Sequence, residues 1–127
     1  MRKKVLLLHC PGDKIYLHDY YTSYSSKANY YWPPSDLIIL SGVLREFELS
    51  VIDAIAEKLR PSECMKKIID LKPDAIIFTT GSATWDNDIR FINEVRQRHS
   101  CLILGSSSMF LFEARYFLVK SLSVDAL

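Results

Sequence analysis

Strand-sized apolar runs and helix-period stripes alternate from the N-terminus onward, and few folds accept that pattern. Val5-Leu6-Leu7-Leu8-His9-Cys10 is a continuous apolar run, as expected of a parallel strand buried on both faces. Pro33-Pro34-Ser35 then opens a helical pattern, with Ser35 placed to cap it. In it Leu37, Leu40, Leu44 and Phe47 recur at spacings of three and four. Ser50 to Ala54 reads as a second strand, and Pro61-Ser62-Glu63 starts a second helix with Met65, Ile68, Ile69 and Leu71 facing inward. Ala75 to Thr80 is the third strand. Asp86-Asn87-Asp88 opens a third helix, where the macrodipole favours negative charge, and Ile89, Ile92 and Val95 form its stripe. Cys101 to Gly105 is the fourth strand, Met109 to Lys120 a fourth helix, and Ser123 to Leu127 the start of a fifth strand. Strands alternating with helices imply an α/β domain whose parallel sheet is doubly wound and covered on both faces.

With 127 residues the chain fits one domain, residues 1–127. A net charge of +1 with interspersed signs lacks the electrostatic footprint of a nucleic-acid binder. The apolar runs are too short to span a bilayer, so no membrane association is expected. Three Cys without a C-x-x-C fit a reduced, cytoplasmic setting better than a disulfide framework.

In an open parallel sheet, ligands sit beyond the carboxyl ends of the strands. Neither a G-x-G-x-x-G nor a P-loop stands there, no His/Cys group has zinc spacing, and there is no G-x-S-x-G elbow. The third strand ends in Thr79-Thr80-Gly81 rather than the acidic residue of a phospho-receiver domain. Two strand ends are instead small and polar, Thr80-Gly81-Ser82 and Gly105-Ser106-Ser107. Glycine lets backbone approach a ligand, and hydroxyls and loop amides bind polar groups. The same residues also simply make βα turns. His9-x-x-Gly12, at the end of the first strand, resembles half of the D-x-H-x-x-G motif that supplies a cobalt ligand in many cobalamin proteins; Leu7 stands at the motif's Asp position, which leaves His9 without the orienting partner a ligating histidine uses and makes it a weak candidate metal ligand.

Between Pro11 and Pro34 no helix or strand pattern is visible, although such connections usually run about 2 to 6 residues. Six of the seven tyrosines lie there. Tyr16, Tyr20, Tyr21, Tyr30, Tyr31 and Trp32 suit either a flat ligand or a partner surface, or else pack on the sheet edge. The segment leaves the carboxyl end of the first strand, which places it over the ligand crevice as a lid, with its tip near Ser23 to Lys27.

The frame V-L-L-L-H-C-P, a long loop, P-P-S-D-L-I-I-L-S-G-V-L-R-E and V-I-D-A resembles the N-terminal cobalamin (B12)-binding-type domain of B12-dependent radical SAM proteins. The K-P-D-A-I-I and L-I-L-G-S-S strands match as well, so the resemblance spans nearly the whole chain. It implies a flavodoxin-like (Rossmann-like) sheet of strand order 2-1-3-4-5, with the fifth strand truncated at the C-terminus. By position, Ser41 and Gly42 would make room for the cobalamin nucleotide tail. Thr80, Gly81, Ser82, Gly105, Ser106 and Ser107 would contact it, and the aromatic loop would face the corrin. Gly105-Ser106 stands where the family has Gly-Gly, and Leu7 implies a cofactor held without histidine below cobalt.

The resemblance further implies a module that presents cobalamin to a downstream radical SAM domain of the same polypeptide, for methyl transfer or ring-forming chemistry. S-adenosylmethionine and a 4Fe-4S cluster would belong to that downstream part, because no C-x-x-x-C-x-x-C occurs here. No acid, base or nucleophile constellation marks this chain as catalytic by itself. The alternative is a domain of the same fold that binds no cobalamin and docks a partner or substrate. An open sheet edge at the C-terminal strand invites self-association.

Overall fold

The computed structural model describes residues 1–18, 23–25, 33–111 and 123–127, with backbone only at 16–18 and 23–25. Its elements are β1 (Lys4–His9), β2 (Tyr16–His18), β3 (Ser23–Ser25), α1 (Ser35–Val43), β4 (Glu48–Asp53), α2 (Pro61–Leu71), β5 (Ala75–Thr79), α3 (Trp85–Arg98) and β6 (Leu102–Ser106). β4, β1, β5 and β6 form one parallel sheet in that spatial order. Numbered along the chain, these strands run 2-1-3-4, an order compatible with a flavodoxin-like fold. The chain steps outward from β1 to β4 and then crosses back to β5, so the topological switch point lies between β1 and β5.

The register divides the sheet into two faces. Leu49, Val5, Ala75 and Leu102 form one row, and Val51, Leu7, Ile77 and Leu104 the next on the same face. Among the described helices, α1 covers this face, with Leu37 buried against Val5 and Leu7. Leu6, Leu8, Ile52, Ile76, Phe78 and Ile103 point the other way and meet α2 and α3 through Met65, Ile68, Phe91, Ile92 and Val95. The two-faced burial explains why β1 reads as an unbroken apolar run: from Val5 to His9 every residue is buried.

Helix termini follow local chemistry. Pro61 occupies the first turn of α2, where its missing N–H costs nothing. Glu63 reaches back to accept from Arg60 N at 2.8 Å. Lys72 ends the helix at φ 49, donating its N–H to Ile68 O. Ser35 does not cap α1. Pro34 holds the cap position without a side-chain bond, and Ser35 is the first helical residue.

Three expectations change. The segment after Pro11 is not without regular structure, because β2 and β3 pair as an antiparallel hairpin. Its cue was weak: three-residue strands show too little alternation to read. Ser23–Ser25, expected at a lid tip, is therefore a paired strand. The fifth strand is reduced to a single parallel bridge from Ala126 to Leu104. The edge of β6 is accordingly taken in part: Gly105 N donates to Ala126 O at 2.9 Å and Asp125 N to Ile103 O at 2.8 Å. The Arg96 guanidinium clamps this segment, donating to Ser123 O, Cys101 O and the Asp125 carboxylate. The fourth helix begins at Phe110, and its span 112–120 lies outside the described residues. No described helix is long and apolar enough to cross a membrane.

Candidate functional site

Parallel strands deliver their carboxyl ends to one side of the sheet, and there the third row of the α1 face turns polar. Asp53, His9, Thr79 and Ser106 stand side by side, one from each strand. His9 is 5% exposed and Thr79 1%. His9 Nδ1 lies 3.5 Å from Asp53 Oδ1. Burial opposes charge on Asp53, but the His9 hydrogen bond and charge and the N–H groups of Ala56 and Ile55 outweigh it. Its carboxyl is held below the usual range. Thr79 Oγ1 is buried with no hydrogen-bond partner among the described residues. An orphaned buried hydroxyl costs about 1–3 kcal/mol, which a ligand or water would relieve.

His9 therefore does have an orienting carboxylate. It comes from Asp53 on the neighbouring strand, not from position 7, where Leu7 faces the apolar core. Sequence spacing cannot reveal a partner that sheet register supplies from 44 residues away. The ring nitrogen Nε2 is itself buried, so His9 does not stand in the open beyond the strand end. Among the described residues no group of three His, Cys, Asp or Glu could hold a metal ion.

A second polar cluster lies on the other face, where β5 turns into α3. Thr80 Oγ1 donates to Asp88 Oδ2 at 2.6 Å. Gly81 N donates to Thr84 Oγ1, and Gly81 O accepts from the N–H groups of Thr84 and Trp85. Asn87 Nδ2 donates to Pro11 O at 2.8 Å, tying the β1 and β5 loops together across the switch point. Asp88 is 2% exposed. Burial pushes its carboxyl up to about 6, against the hydrogen bonds of Thr80, Thr84 and Asn87 and the His9 charge. The helix-dipole reading of Asp88 thus captured its place in the first turn of α3 but not its burial. Burial likewise raises the thiols of Cys10 and Cys64, the latter to about 12.

The residues singled out from the sequence fall into distinct places. Thr80, Gly81 and Ser82 come together with Ser106 and Ser107, Thr80 N donating to Ser106 O at 3.1 Å. Ser82 is exposed and the two serines half-buried. Ser41 and Gly42 lie on α1, away from this cluster along the chain's first crossover. Ser41 Oγ donates to Ile38 O, and a Cβ at Gly42 would meet nothing within 4 Å. Gly105 has a packing reason to be glycine. A Cβ there would come 2.7 Å from Leu127 Cδ2 and 3.2 Å from Phe78 Cζ. Tyr16 is in β2, while Tyr20, Tyr21, Tyr30, Tyr31 and Trp32 lie outside the described residues.

Comparison with known proteins leaves the geometry to speak alone. No protein family, curated protein or solved structure matches the chain. What the geometry offers at the carboxyl end of the parallel sheet is hydroxyls from Thr79, Ser106 and Ser107 beside a buried His9 paired with a half-buried Asp53.

Proposed function

We propose that this chain is a cobalamin-holding module of flavodoxin-like fold, presenting the corrin to a downstream radical SAM domain of the same polypeptide in a reduced, cytoplasmic setting. The observation that carries this reading is the buried Thr79 hydroxyl in the polar row on the α1 face, which has no hydrogen-bond partner among the described residues. It is a built-in demand for a hydrogen-bonding group at the end of the sheet where such folds take ligands. Open space beside Gly42 also fits a ligand tail lying along α1. The bridge from Ala126 to Leu104 lies where the fifth strand of such a sheet would run.

When bound, cobalamin supplies a transferable methyl group to the downstream reaction. The protein's part is to hold and orient it. Thr79, Ser106 and Ser107 offer hydroxyls, Ser82 and Gly81 a loop edge, and Ser41 and Gly42 a low helix surface. Asp53 keeps His9 in place, and the pair stays a fixture of the sheet rather than a ligand to cobalt. S-adenosylmethionine and its 4Fe-4S cluster belong to the downstream domain.

A second reading, a docking module without cofactor, draws support from Gly105. Apolar side chains from Leu127, Phe78 and Phe110 fill the space that a ligand would need there. Incubation with hydroxocobalamin, desalting and absorption spectroscopy separate the two. Corrin absorption travelling with the protein is expected. Thr79→Val should cut retention while leaving thermal stability equal or higher, and His9→Ala should leave the spectrum of any retained cofactor unchanged. No retention by the unmodified chain, or full retention by Thr79→Val, would sink the cofactor reading.

A further inference from the structure

β4 is an edge of the sheet: it pairs with β1, and no described strand lies on its other side. The register decides which of its backbone groups look outward. Glu48 N donates to Lys3 O and Ala54 N to His9 O, so the even-numbered residues between them turn their backbone groups to β1. Leu49 and Val51 turn theirs away, and these have no partner among the described residues. The open run is closed off by a turn on either side. Phe47 N donates to Leu44 O, and Asp53 O accepts from Glu57 N.

Sheet edges are usually blunted by lysine, proline, a bulge or a covering element. Leu49-Ser50-Val51 holds neither charge nor proline. The surface beside it is apolar. Of the eight large hydrophobic residues exposed among the described ones, five fall in this stretch of chain: Ile38, Ile39, Val43, Phe47 and Val51. The first three are on α1, which covers the face that Val51 shares. Charge does not oppose a second copy. Glu48 lies 4.0 Å from Lys4, and Arg45 and Glu46 are of opposite sign.

We infer that β4 pairs with β4 of a second copy of this chain, antiparallel about a twofold axis at Ser50, so that the two sheets continue as one. This register sets Leu49 opposite the partner's Val51, and Val51 opposite the partner's Leu49. Each such pair exchanges both backbone hydrogen bonds, so every open group on the edge is matched by its own counterpart. Opposed residues share a face, so the apolar side chains meet beside α1. Five part-exposed side chains supply on the order of 300 Å² per copy, well short of the roughly 800 Å² of a standard interface, so the pairing is weak and reversible. The inference does not rest on cobalamin binding.

Sedimentation equilibrium of the full chain without ligand, from about 10 μM to about 1 mM, should show a reversible monomer–dimer equilibrium with a Kd of roughly 100 μM. Hydrogen exchange locates the seam. At the high concentration the Leu49 and Val51 amides should exchange several-fold more slowly than at the low one. Ser50 and Ile52, bonded to β1, should be equally protected at both. Val51→Lys places a charge at a half-exposed edge position, so the variant should keep its melting temperature and pair at least tenfold more weakly. A chain that stays monomeric at the high concentration would overturn the inference. So would a dimer indifferent to Val51→Lys, exchange at Leu49 and Val51 that does not depend on concentration, or slowing confined to β6 at the opposite edge.

Discussion

Replacing Asp88 by Asn should stabilise the fold at neutral pH and remove part of its pH dependence. In the folded chain the carboxyl keeps its proton up to about pH 6, chiefly because burial disfavours the charge. In the unfolded chain an aspartate keeps it only to about pH 4. Between these values the folded state binds more protons than the unfolded one, so stability from this group rises as pH falls. At pH 7 both states are ionised and the buried charge opposes folding. Two pH units correspond to about 3 kcal/mol at most, and relaxation around the site reduces that to about 1–2 kcal/mol. Asn is close to isosteric. Its oxygen can accept the Thr80 hydroxyl as Asp88 Oδ2 does, and its amide can donate to Thr84. Urea denaturation of both proteins from pH 4 to 7.5 measures the effect. The variant should gain about 1–2 kcal/mol at pH 7, and the two curves should converge near pH 4. Parallel curves across the window, or a variant weaker at pH 7, would refute the claim that Asp88 carries a desolvated charge.

Two further outcomes follow from packing. Gly105→Ala should cost about 1–3 kcal/mol, since its methyl group meets Leu127 and the buried Phe78. Adding Leu127→Ala should restore part of that loss in the same denaturation assay, and strict additivity would show that the two sites do not touch. Arg96→Ala should release the C-terminal segment, because the guanidinium holds Ser123 O, Cys101 O and Asp125. Hydrogen exchange at the Gly105 and Asp125 amides should then speed up while Leu6 and Leu8 in β1 stay protected, and unchanged exchange at Gly105 would contradict the clamp.

Much of the architecture was legible along the chain, and some of it was not. β1, β5 and β6 announce themselves as short apolar runs, and α2 and α3 as stripes opened by Pro61 and by acidic residues. α1 is shorter than its stripe suggests: Leu44 is its C-cap, and Phe47 lies beyond it and is exposed. The β2–β3 hairpin stayed hidden, because each strand has only three residues and the run between them carries no turn dipeptide. Within the site, Thr80, Gly81 and Ser82 were found, but as candidate ligand contacts. The structure shows the Thr80 hydroxyl on Asp88 and Gly81 bonded within the turn that opens α3.

What the sequence by itself determined is the succession of elements and the strand ends that carry small polar residues. Those follow from hydrophobic period and turn chemistry, which act over a few residues. Only the tertiary structure decided who meets whom. Parallel register set Asp53 beside His9, and the packing of α3 buried Asp88 against Thr80. The return of the C-terminal segment filled the space over Gly105 with Leu127. Burial and pairing of a polar group depend on neighbours distant in the chain, and no local pattern encodes their charge, their reach or the water they exclude.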